Sequence, residues 1–196
     1  FGVPDGVFNL AIGNGSSIGE MMITDKRIPL LSFTGSTAMG KRVAVKVAEH
    51  LGRTILELGG NNAVIVMDDA DMKMAVSSVL FGAAGTTGQR CTTTRRVLVH
   101  KKVASEFTER LVNAYKQLRV GNSLQEGILV GPLVDKGSVE DMQAGLKKIR
   151  EQGGEVVVGG EVLTGPGYES GCYVAPCIVK AKREMPIVQE EIFAPI

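Results

Sequence analysis

Short apolar runs, glycine turns and amphipathic segments follow one another in a repeating order along this chain. The apolar run at 30–33 ends in a glycine turn, and the next segment places Val43 and Val47 on one helical face. A second apolar run at 54–58 completes a strand–helix–strand unit. Because such units pair their strands in parallel with right-handed crossovers, the order predicts an α/β fold with a parallel sheet.

The same alternation predicts the remaining elements. Further strands are predicted at 7–12, 63–67, 96–100, 155–158 and 173–179. Further helices are predicted at 16–22, from Asp71 to about Gly85, along the face Phe107, Leu111, Tyr115 and Leu118, and from the capping-box-like pair Ser138 and Asp141 to Gly153. The Gly-Gly-Asn-Asn stretch at 59–62 is the predicted boundary between two parts of the chain.

Charge and composition exclude several function classes. The 22 Lys+Arg and 21 Asp+Glu leave a net charge of +1, whereas nucleic-acid binding needs a clustered positive excess. No apolar run reaches the ~20 residues that span a bilayer, so no membrane partner is expected. Three cysteines fit a reducing compartment, here predicted as cytoplasmic, and the two distant histidines predict no metal site.

Two glycine-rich stretches have the spacing of known site motifs. The stretch 35–41 matches a phosphate-binding NTPase loop, but Arg42 replaces the Ser or Thr that would bind magnesium. It therefore suits either a simpler phosphate cradle or only a tight turn. The stretch 15–19, Gly-Ser-Ser-Ile-Gly, matches the nucleophile elbow of α/β-hydrolases, but nothing in the sequence marks the oxyanion loop that such an enzyme needs.

Glu57 has the chemistry of a general base. It lies between Leu56 and Leu58 at the end of an apolar strand, where an ionised carboxylate loses hydration and becomes a better proton acceptor. The alternative is that Glu57 points to solvent from a half-buried strand.

Cys91 has the chemistry of a nucleophile. It lies in a polar, threonine-rich stretch beside Arg90 and close to Arg95 and Arg96, whose positive charge can stabilise a thiolate. The other two cysteines, Cys172 and Cys177, lie in or beside an apolar strand and are predicted to be packing residues.

Four motifs in order resemble the aldehyde dehydrogenase superfamily over essentially the whole chain. They are Phe33-Thr34-Gly35-Ser36-Thr37 with Gly40, Leu56-Glu57-Leu58-Gly59-Gly60, Gly88-Gln89-Arg90-Cys91, and Glu190-Glu191-Ile192-Phe193-Ala194-Pro195. The stretches Gly59-Gly60-Asn61-Asn62-Ala63 and Gly-Gln-Arg-Cys-Thr-Thr further resemble the antiquitin branch, the α-aminoadipic semialdehyde (piperideine-6-carboxylate) dehydrogenases. Ala194 stands where most of the superfamily carries glycine.

This resemblance implies a Rossmann-like portion of an NAD-binding domain over 1–60 and most of an α/β catalytic thiol domain over 61–196. It implies NAD-dependent oxidation of a semialdehyde, 2-aminoadipic 6-semialdehyde, to the carboxylic acid, with NADP as the alternative cofactor. Cys91 would form a thiohemiacetal and then a thioester, and its backbone N–H would help hold the oxyanion. Glu57 would activate the water that hydrolyses the thioester.

The resemblance also implies which residues contact the cofactor and the substrate. The cofactor residues would be Gly19 near the adenosine, Gly35 and Ser36 at the pyrophosphate with Gly40 in the same motif, Leu58 at the nicotinamide amide, Glu191 at the nicotinamide ribose and Phe193 near the ring. Arg90 and Thr92 flank the nucleophile and are predicted to touch the substrate, because an Arg can bind the carboxylate of an amino-acid semialdehyde. Alternatively, Arg90 only tunes the thiolate or makes a structural ion pair.

Members of this superfamily are much longer than 196 residues. The resemblance therefore predicts a fragment that lacks both ends, is inactive by itself, and derives from a homo-oligomer, a dimer or tetramer. Two other classes stay open at this point. One is a cofactor-independent thiol hydrolase or thioesterase that uses Cys91 and Glu57, and the other is a non-catalytic relative.

Overall fold

Two parallel strand pairs and one antiparallel pair organise residues 2–196, the part of the chain that this computed structural model describes. The fold class is α/β, as predicted. The chain divides into two compact units, one ending at Gly59 and the other beginning at Gly60.

The first unit is built around one strand–helix–strand motif. Its elements are a π-helical turn (Gly15–Gly19), α1 (Glu20–Thr24), β1 (Leu30–Gly35), α2 (Thr37–Ala48) and β2 (Arg53–Leu58). Strands β1 and β2 pair in parallel, which confirms the predicted unit. The small core of this unit consists of Ile23, Leu31, Val43 and Val47.

The predicted strand at 7–12 is wrong. Phe8, Leu10 and Ile12 are 84%, 86% and 86% exposed, and the structure assigns no strand to this segment. A strand needs a hydrogen-bonded partner for its backbone, and no other strand pairs with this segment within residues 2–196. Apolar content alone therefore predicted the wrong element.

The second unit contains the other two strand pairs and the longer helices. Its elements are β3 (Ala63–Val66), α3 (Met72–Ala84), a 3-10 turn (Gly85–Gly88), β4 (Arg96–Val99), α4 (Ala104–Tyr115), α5 (Lys136–Glu151), β5 (Glu155–Val158), β6 (Ile178–Lys180) and a 3-10 turn (Pro186–Gln189). Strands β3 and β4 are parallel, whereas β5 and β6 are antiparallel.

Two apolar clusters form the core of this unit. In the first, α4 contributes its predicted face of Phe107, Leu111 and Tyr115, which packs with Val66 and Val79. In the second, α5 contributes its predicted face; the members from this helix are Val139, Met142, Leu146 and Ile149. Cys177 joins the second cluster as a packing residue, and burial raises the pKa of its thiol to about 12.

The predicted start of α5 is displaced by three residues. The N-cap is Asp135, whose Oδ1 accepts from the Ser138 backbone N–H at 2.7 Å and from its hydroxyl at 2.9 Å. The pair Ser138 and Asp141 therefore does not form the capping box that their spacing suggested. Ser138 instead donates to the residue that caps the helix.

The predicted strand at 173–179 is also largely wrong. Val174 forms one isolated bridge to Val162, and only Ile178–Lys180 pair with β5. Pro176 has no N–H to offer a ladder, and the N–H of Cys177 donates to Pro195 O at 2.8 Å.

Replacing Asp135 by alanine should destabilise the protein at neutral pH, because α5 loses the acceptor for its first-turn N–H. The hydrogen bonds from the Ser138 backbone and hydroxyl lower the pKa of Asp135 from its ordinary value of 3.8. Its stabilising effect is therefore present above pH 3.8 and is lost as the pH falls through the lowered pKa. Urea unfolding of both proteins at neutral and acid pH should show a difference that shrinks in acid.

Two matched variants control this experiment. Asp135→Asn should keep most of the stability, since asparagine caps helices well. Asp141→Ala removes an exposed carboxylate from the same helix and should leave the urea midpoint unchanged. Equal destabilisation by Asp135→Ala and Asp141→Ala would contradict the assigned cap.

Candidate active site

The carboxyl ends of β1 and β2 gather five predicted site residues in the first unit. Gly35 and Leu58 are register partners at the last rung of the parallel ladder. Ser36 follows Gly35, and Glu57 precedes Leu58, so both lie at the same edge of the strand pair. The side chain of Leu58 also fills the space that a Cβ at the buried Gly40 would need, with Leu58 Cγ at 3.1 Å. In open α/β sheets, ligands bind at this edge.

Ser36 is the N-cap of α2. Its Oγ accepts from the Met39 N–H at 3.2 Å, and its carbonyl accepts from the Gly40 N–H at 2.8 Å. The first N–H groups of a helix have no acceptor within the helix, and the N-terminus of this 12-residue helix is the positive end of its dipole. This geometry suits an anion such as a phosphate group.

Arg42, which stands where an NTPase loop needs Ser or Thr, makes an ion pair instead. Both of its Nη atoms bind the carboxylate of Glu20, the second at 2.9 Å, and this pairing lowers the pKa of Glu20. The ion pair holds α1 against α2 and with it Gly19, which immediately precedes Glu20. Gly19 itself lies outside the strand edge, on the turn before α1.

The hydrolase-elbow spacing at 15–19 does not form an elbow. An elbow requires a strand before the serine, and the structure has none at that position. The hydroxyls of Ser16 and Ser17 donate to Asn14 Oδ1 at 2.9 Å and 2.8 Å, which ties them into a local turn.

Glu57 is exposed rather than surrounded by its apolar neighbours. The side chains of a strand alternate between its two faces, and β2 alternates between exposed and half-buried positions. Leu56 and Leu58 therefore lie on the opposite face from Glu57. The expected loss of hydration does not occur in this unit, and the solvent-facing alternative is the one observed.

The thiol loop of the second unit begins with an unusual backbone turn. Thr86, Thr87 and Gly88 have φ angles of 52°, 57° and 66°, in the left-handed region that β-branched residues rarely adopt. The buried Thr87 hydroxyl donates to Gly131 O at 3.1 Å and so holds this conformation. Gly88 also needs to be glycine because a Cβ would lie 2.6 Å from the backbone nitrogen of Pro195.

Cys91 is exposed, yet the backbone around it is fixed by hydrogen bonds. Asn62 Nδ2 donates to Cys91 O at 2.7 Å and to Thr93 O at 2.9 Å. Thr93 is 1% exposed, and its Oγ1 accepts from the Arg90 N–H at 3.1 Å. The loop therefore presents an accessible thiol on an ordered backbone.

Arg95 connects this loop to the segment that carries Glu191 and Phe193. Its Nη1 donates to Ala194 O at 2.8 Å, and its Nη2 lies 3.3 Å from Arg90 O and 3.4 Å from Glu191 Oε1. Its guanidinium carbon lies 5.2 Å from the centroid of the Phe193 ring. The side chain is 4% exposed, and burial lowers the pKa of Arg95 while Glu191 opposes that effect.

Arg90 and Arg96 are engaged elsewhere than at the thiol. Arg90 Nε donates to Thr86 Oγ1 at 2.8 Å, and its guanidinium carbon lies 5.6 Å from the centroid of the Phe81 ring. Arg96 donates twice to Asn61 O, at 3.0 Å and 2.8 Å. Thr92 is exposed beside Cys91. The predicted thiolate stabilisation by these arginines is therefore not visible as a direct contact.

Sequence patterns predict no site role for two residues of the site. Asn62 lies in the Gly-Gly-Asn-Asn stretch that predicts a boundary, and Arg95 is predicted only to be a source of positive charge. The available signal was a polar side chain immediately before an apolar strand, which has to find partners at the strand end. Within residues 2–196, no group of three His, Cys, Asp or Glu side chains could hold a metal ion, and no helix is long and apolar enough to cross a bilayer.

Comparison with known proteins assigns the family. The protein-family model described as the aldehyde dehydrogenase family matches residues 1–196, and the chain therefore belongs to this family. It is 46% identical over 194 residues to aldehyde dehydrogenase family 7 member A1 of Pisum sativum. It is 48% identical over 195 residues to the alpha-aminoadipic semialdehyde dehydrogenase of Mus musculus. These relatives confirm the resemblance that the four motifs carried, including its branch.

Each alignment covers 99% of this chain. The chain itself spans only 37% of the length of the pea protein and 35% of the length of the mouse protein. A solved structure, betaine aldehyde dehydrogenase from Staphylococcus aureus in complex with NAD+, matches with a TM-score of 0.95 and 31% identity. That match covers 99% of this chain and 39% of the solved one. It supports the α/β fold described above.

Asn62→Asp should loosen the thiol loop, because a carboxylate cannot donate to the carbonyl oxygens of Cys91 and Thr93. Losing the donor to these carbonyl groups, of which only Thr93 O is partly buried, should cost about 1 kcal/mol in stability. Hydrogen–deuterium exchange followed by mass spectrometry should show faster exchange in peptides that cover 90–94. Asn113→Asp, the same change at an exposed position on α4, should leave that exchange unaltered. Unchanged exchange in Asn62→Asp would show that Asn62 does not hold the loop.

Proposed function

We propose that this chain supplies the thiol, the general base and part of the nucleotide-binding surface of an NAD-dependent aldehyde dehydrogenase. The substrate class is a semialdehyde, 2-aminoadipic 6-semialdehyde, which is oxidised to the carboxylic acid. The observation that carries the proposal is the exposed thiol of Cys91 on a backbone held by Asn62. Most cysteines are small core residues, as Cys177 is here. The name of the mouse relative supports the substrate class.

Cys91 acts as the nucleophile. Its sulfur forms a bond to the aldehyde carbon, and the carbonyl oxygen becomes the oxyanion of a thiohemiacetal. The Cys91 backbone N–H donates to that oxygen, where negative charge develops. NAD, when bound, supplies the two-electron acceptor that converts the thiohemiacetal to a thioester.

Glu57 then acts as the base of the second half-reaction. It accepts a proton from a water molecule, whose oxygen attacks the thioester carbon. The carbon–sulfur bond breaks, the carboxylic acid leaves, and Cys91 is regenerated as a thiolate. Exposure of Glu57 on β2 is compatible with this role because its carboxylate is accessible to water.

Each unit, taken by itself, has groups that suit part of a dinucleotide. In the first unit, the N-terminus of α2 at Gly35 and Ser36 suits the pyrophosphate, Gly40 lets Leu58 pack closely, and the turn at Gly19 is assigned to the adenosine end. We propose that residues 1–60 belong to the NAD-binding domain on this basis. Leu58 would contact the nicotinamide amide through its backbone.

In the second unit, the Glu191 carboxylate can accept hydrogen bonds from ribose hydroxyls. Phe193 is 48% exposed and offers an apolar face to the nicotinamide ring. We propose that residues 61–196 form most of the catalytic domain. The NAD+ complex of the structurally similar Staphylococcus aureus enzyme supports NAD as the cofactor, with NADP as the alternative. No observation favours a cofactor-independent hydrolase or a non-catalytic role.

We also propose a reducing, cytoplasmic compartment and a homo-oligomeric state, a dimer or tetramer. The three free thiols support the compartment. The oligomeric state is what membership of the aldehyde dehydrogenase family implies.

Limited iodoacetamide should modify Cys91 before the other two thiols, because Cys91 is exposed whereas Cys177 is buried with a raised pKa. Added propanal should slow the modification of Cys91, since the thiohemiacetal occupies the sulfur. The modification of Cys172, which is partly exposed, should not change. Peptide mapping by mass spectrometry measures all three sites in one sample. Equal protection of Cys91 and Cys172, or none at either, would exclude Cys91 as the aldehyde acceptor.

Arg90 and Thr92 are the proposed substrate contacts. Arg90 is exposed, and its guanidinium donates through Nε to Thr86, which leaves both Nη groups available for a carboxylate. Arg90→Met should therefore weaken protection of Cys91 by 2-aminoadipic 6-semialdehyde about tenfold or more, the effect of one lost charge-assisted hydrogen bond. Protection by propanal should stay the same.

Arg110→Met, which removes an exposed charge from α4, serves as the control. It should not change the protection of Cys91 by either aldehyde. If Arg90→Met weakened the protection of Cys91 by both aldehydes equally, Arg90 would not bind the substrate carboxylate. It would then only tune the thiolate or make a structural contact.

A further inference from the structure

We propose that Arg95 is a positioning residue that orients the Cys91 N–H and couples it to Glu191. The role of that N–H as a donor to the oxyanion rests on the proposed function. The coupling itself rests only on contacts within the second unit.

Arg95 helps to hold the orientation of one particular peptide group. Its Nη2 donates to Arg90 O at 3.3 Å, and the Thr93 N–H donates to the same oxygen at 3.0 Å. That carbonyl and the Cys91 N–H belong to the same planar, trans peptide unit, so fixing the oxygen fixes the direction of the N–H on the opposite side. A cationic donor on the carbonyl also polarises the peptide and makes its N–H a better donor. Asn62 holds the next peptide group through Cys91 O.

The same nitrogen of Arg95 also reaches the carboxylate of Glu191. Nη2 carries two hydrogens and lies 3.3 Å from Arg90 O and 3.4 Å from Glu191 Oε1. Nη1 donates to Ala194 O at 2.8 Å, three residues further along the same segment. Movement or neutralisation of Glu191 therefore changes the electrostatic surroundings and the position of the guanidinium that holds the Cys91 peptide.

A purely structural ion pair would be built differently. Arg95 Nε is buried and donates to no group within residues 2–196, which leaves a cationic donor without a partner. An unsatisfied buried donor destabilises a fold, so this arrangement is not one that optimises stability. Only the planar fork of arginine can reach the three acceptors on two segments at once; a lysine ammonium at this position cannot.

NMR of the 15N-labelled chain tests the coupling without cofactor or aldehyde. Glu191→Gln should shift the Cys91 amide resonance although Glu191 is distant in sequence, whereas Glu190→Gln, at the exposed neighbouring residue, should not. Arg95→Lys should shift the same resonance and speed its hydrogen exchange about tenfold, because one charge-assisted hydrogen bond to this peptide group is lost. Arg110→Lys, the same change at an exposed position on α4, is the control for Arg95→Lys and should leave the resonance in place. An unchanged Cys91 amide in both Glu191→Gln and Arg95→Lys would overturn the proposal.

A second measurement separates positioning from a merely structural role. Iodoacetamide attack creates no oxyanion, whereas aldehyde addition does, so only the latter depends on the Cys91 N–H. Arg95→Lys should weaken propanal protection of Cys91 about tenfold, since a charge-assisted hydrogen bond that holds the oxyanion donor is lost, and should leave the iodoacetamide rate within about twofold. Equal changes in both would indicate altered exposure of the thiol and would contradict positioning. If the unmodified chain takes up no propanal, the proposed function fails, and the amide resonance still decides the coupling.

Discussion

One amide side chain holds the backbone around the exposed thiol of Cys91. The side-chain amide of Asn62 donates to the carbonyl oxygens of Cys91 and Thr93. The backbone carbonyl of Asn62 accepts from the N–H groups of Arg95 and Arg96, both at 3.0 Å. Loop backbone normally relies on water for these bonds. Because Asn62 satisfies them internally, the loop can expose a sulfur atom while its peptide groups stay ordered. Within the same unit, Arg95 ties the segment that carries Glu191 and Phe193 to this loop.

The fixed loop also accounts for the strained turn that precedes it. Two consecutive threonines in the left-handed region store about 1–3 kcal/mol each. The buried hydrogen bond from Thr87 to Gly131 and the bond from Arg90 to Thr86 oppose that strain. Strain of this kind concentrates at functional sites because only a well-determined surrounding structure can maintain it. Here the strained turn leads the chain to Cys91. The contacts of Thr86 and Thr87 hold the chain before Cys91, and those of Asn62 hold it at Cys91 and Thr93.

Elements with a strong period were predictable from the sequence, and long-range pairings were not. The unit formed by β1, α2 and β2 follows from alternating apolar runs and a helical face. The strand predicted at 7–12 failed because apolar content does not supply a hydrogen-bonding partner. Cys91 was identifiable as a candidate from its polar surroundings, but Asn62 acts across 29 residues and Arg95 across 96, distances at which spacing carries no information. The sequence predicted correctly that Glu57 lies in a strand. Its exposure depends on the alternation of β2 side chains between two faces, only one of which is covered by α2.

The proposed function requires that Cys91 forms a covalent adduct with an aldehyde carbon. Carbon-13 NMR of the chain with propanal labelled at its carbonyl carbon detects such an adduct. A resonance is expected at the chemical shift of a tetrahedral carbon bonded to oxygen and sulfur, present with the unmodified chain and absent with Cys91→Ala. Signals from free aldehyde and its hydrate alone, or the same new resonance with Cys91→Ala, would contradict it.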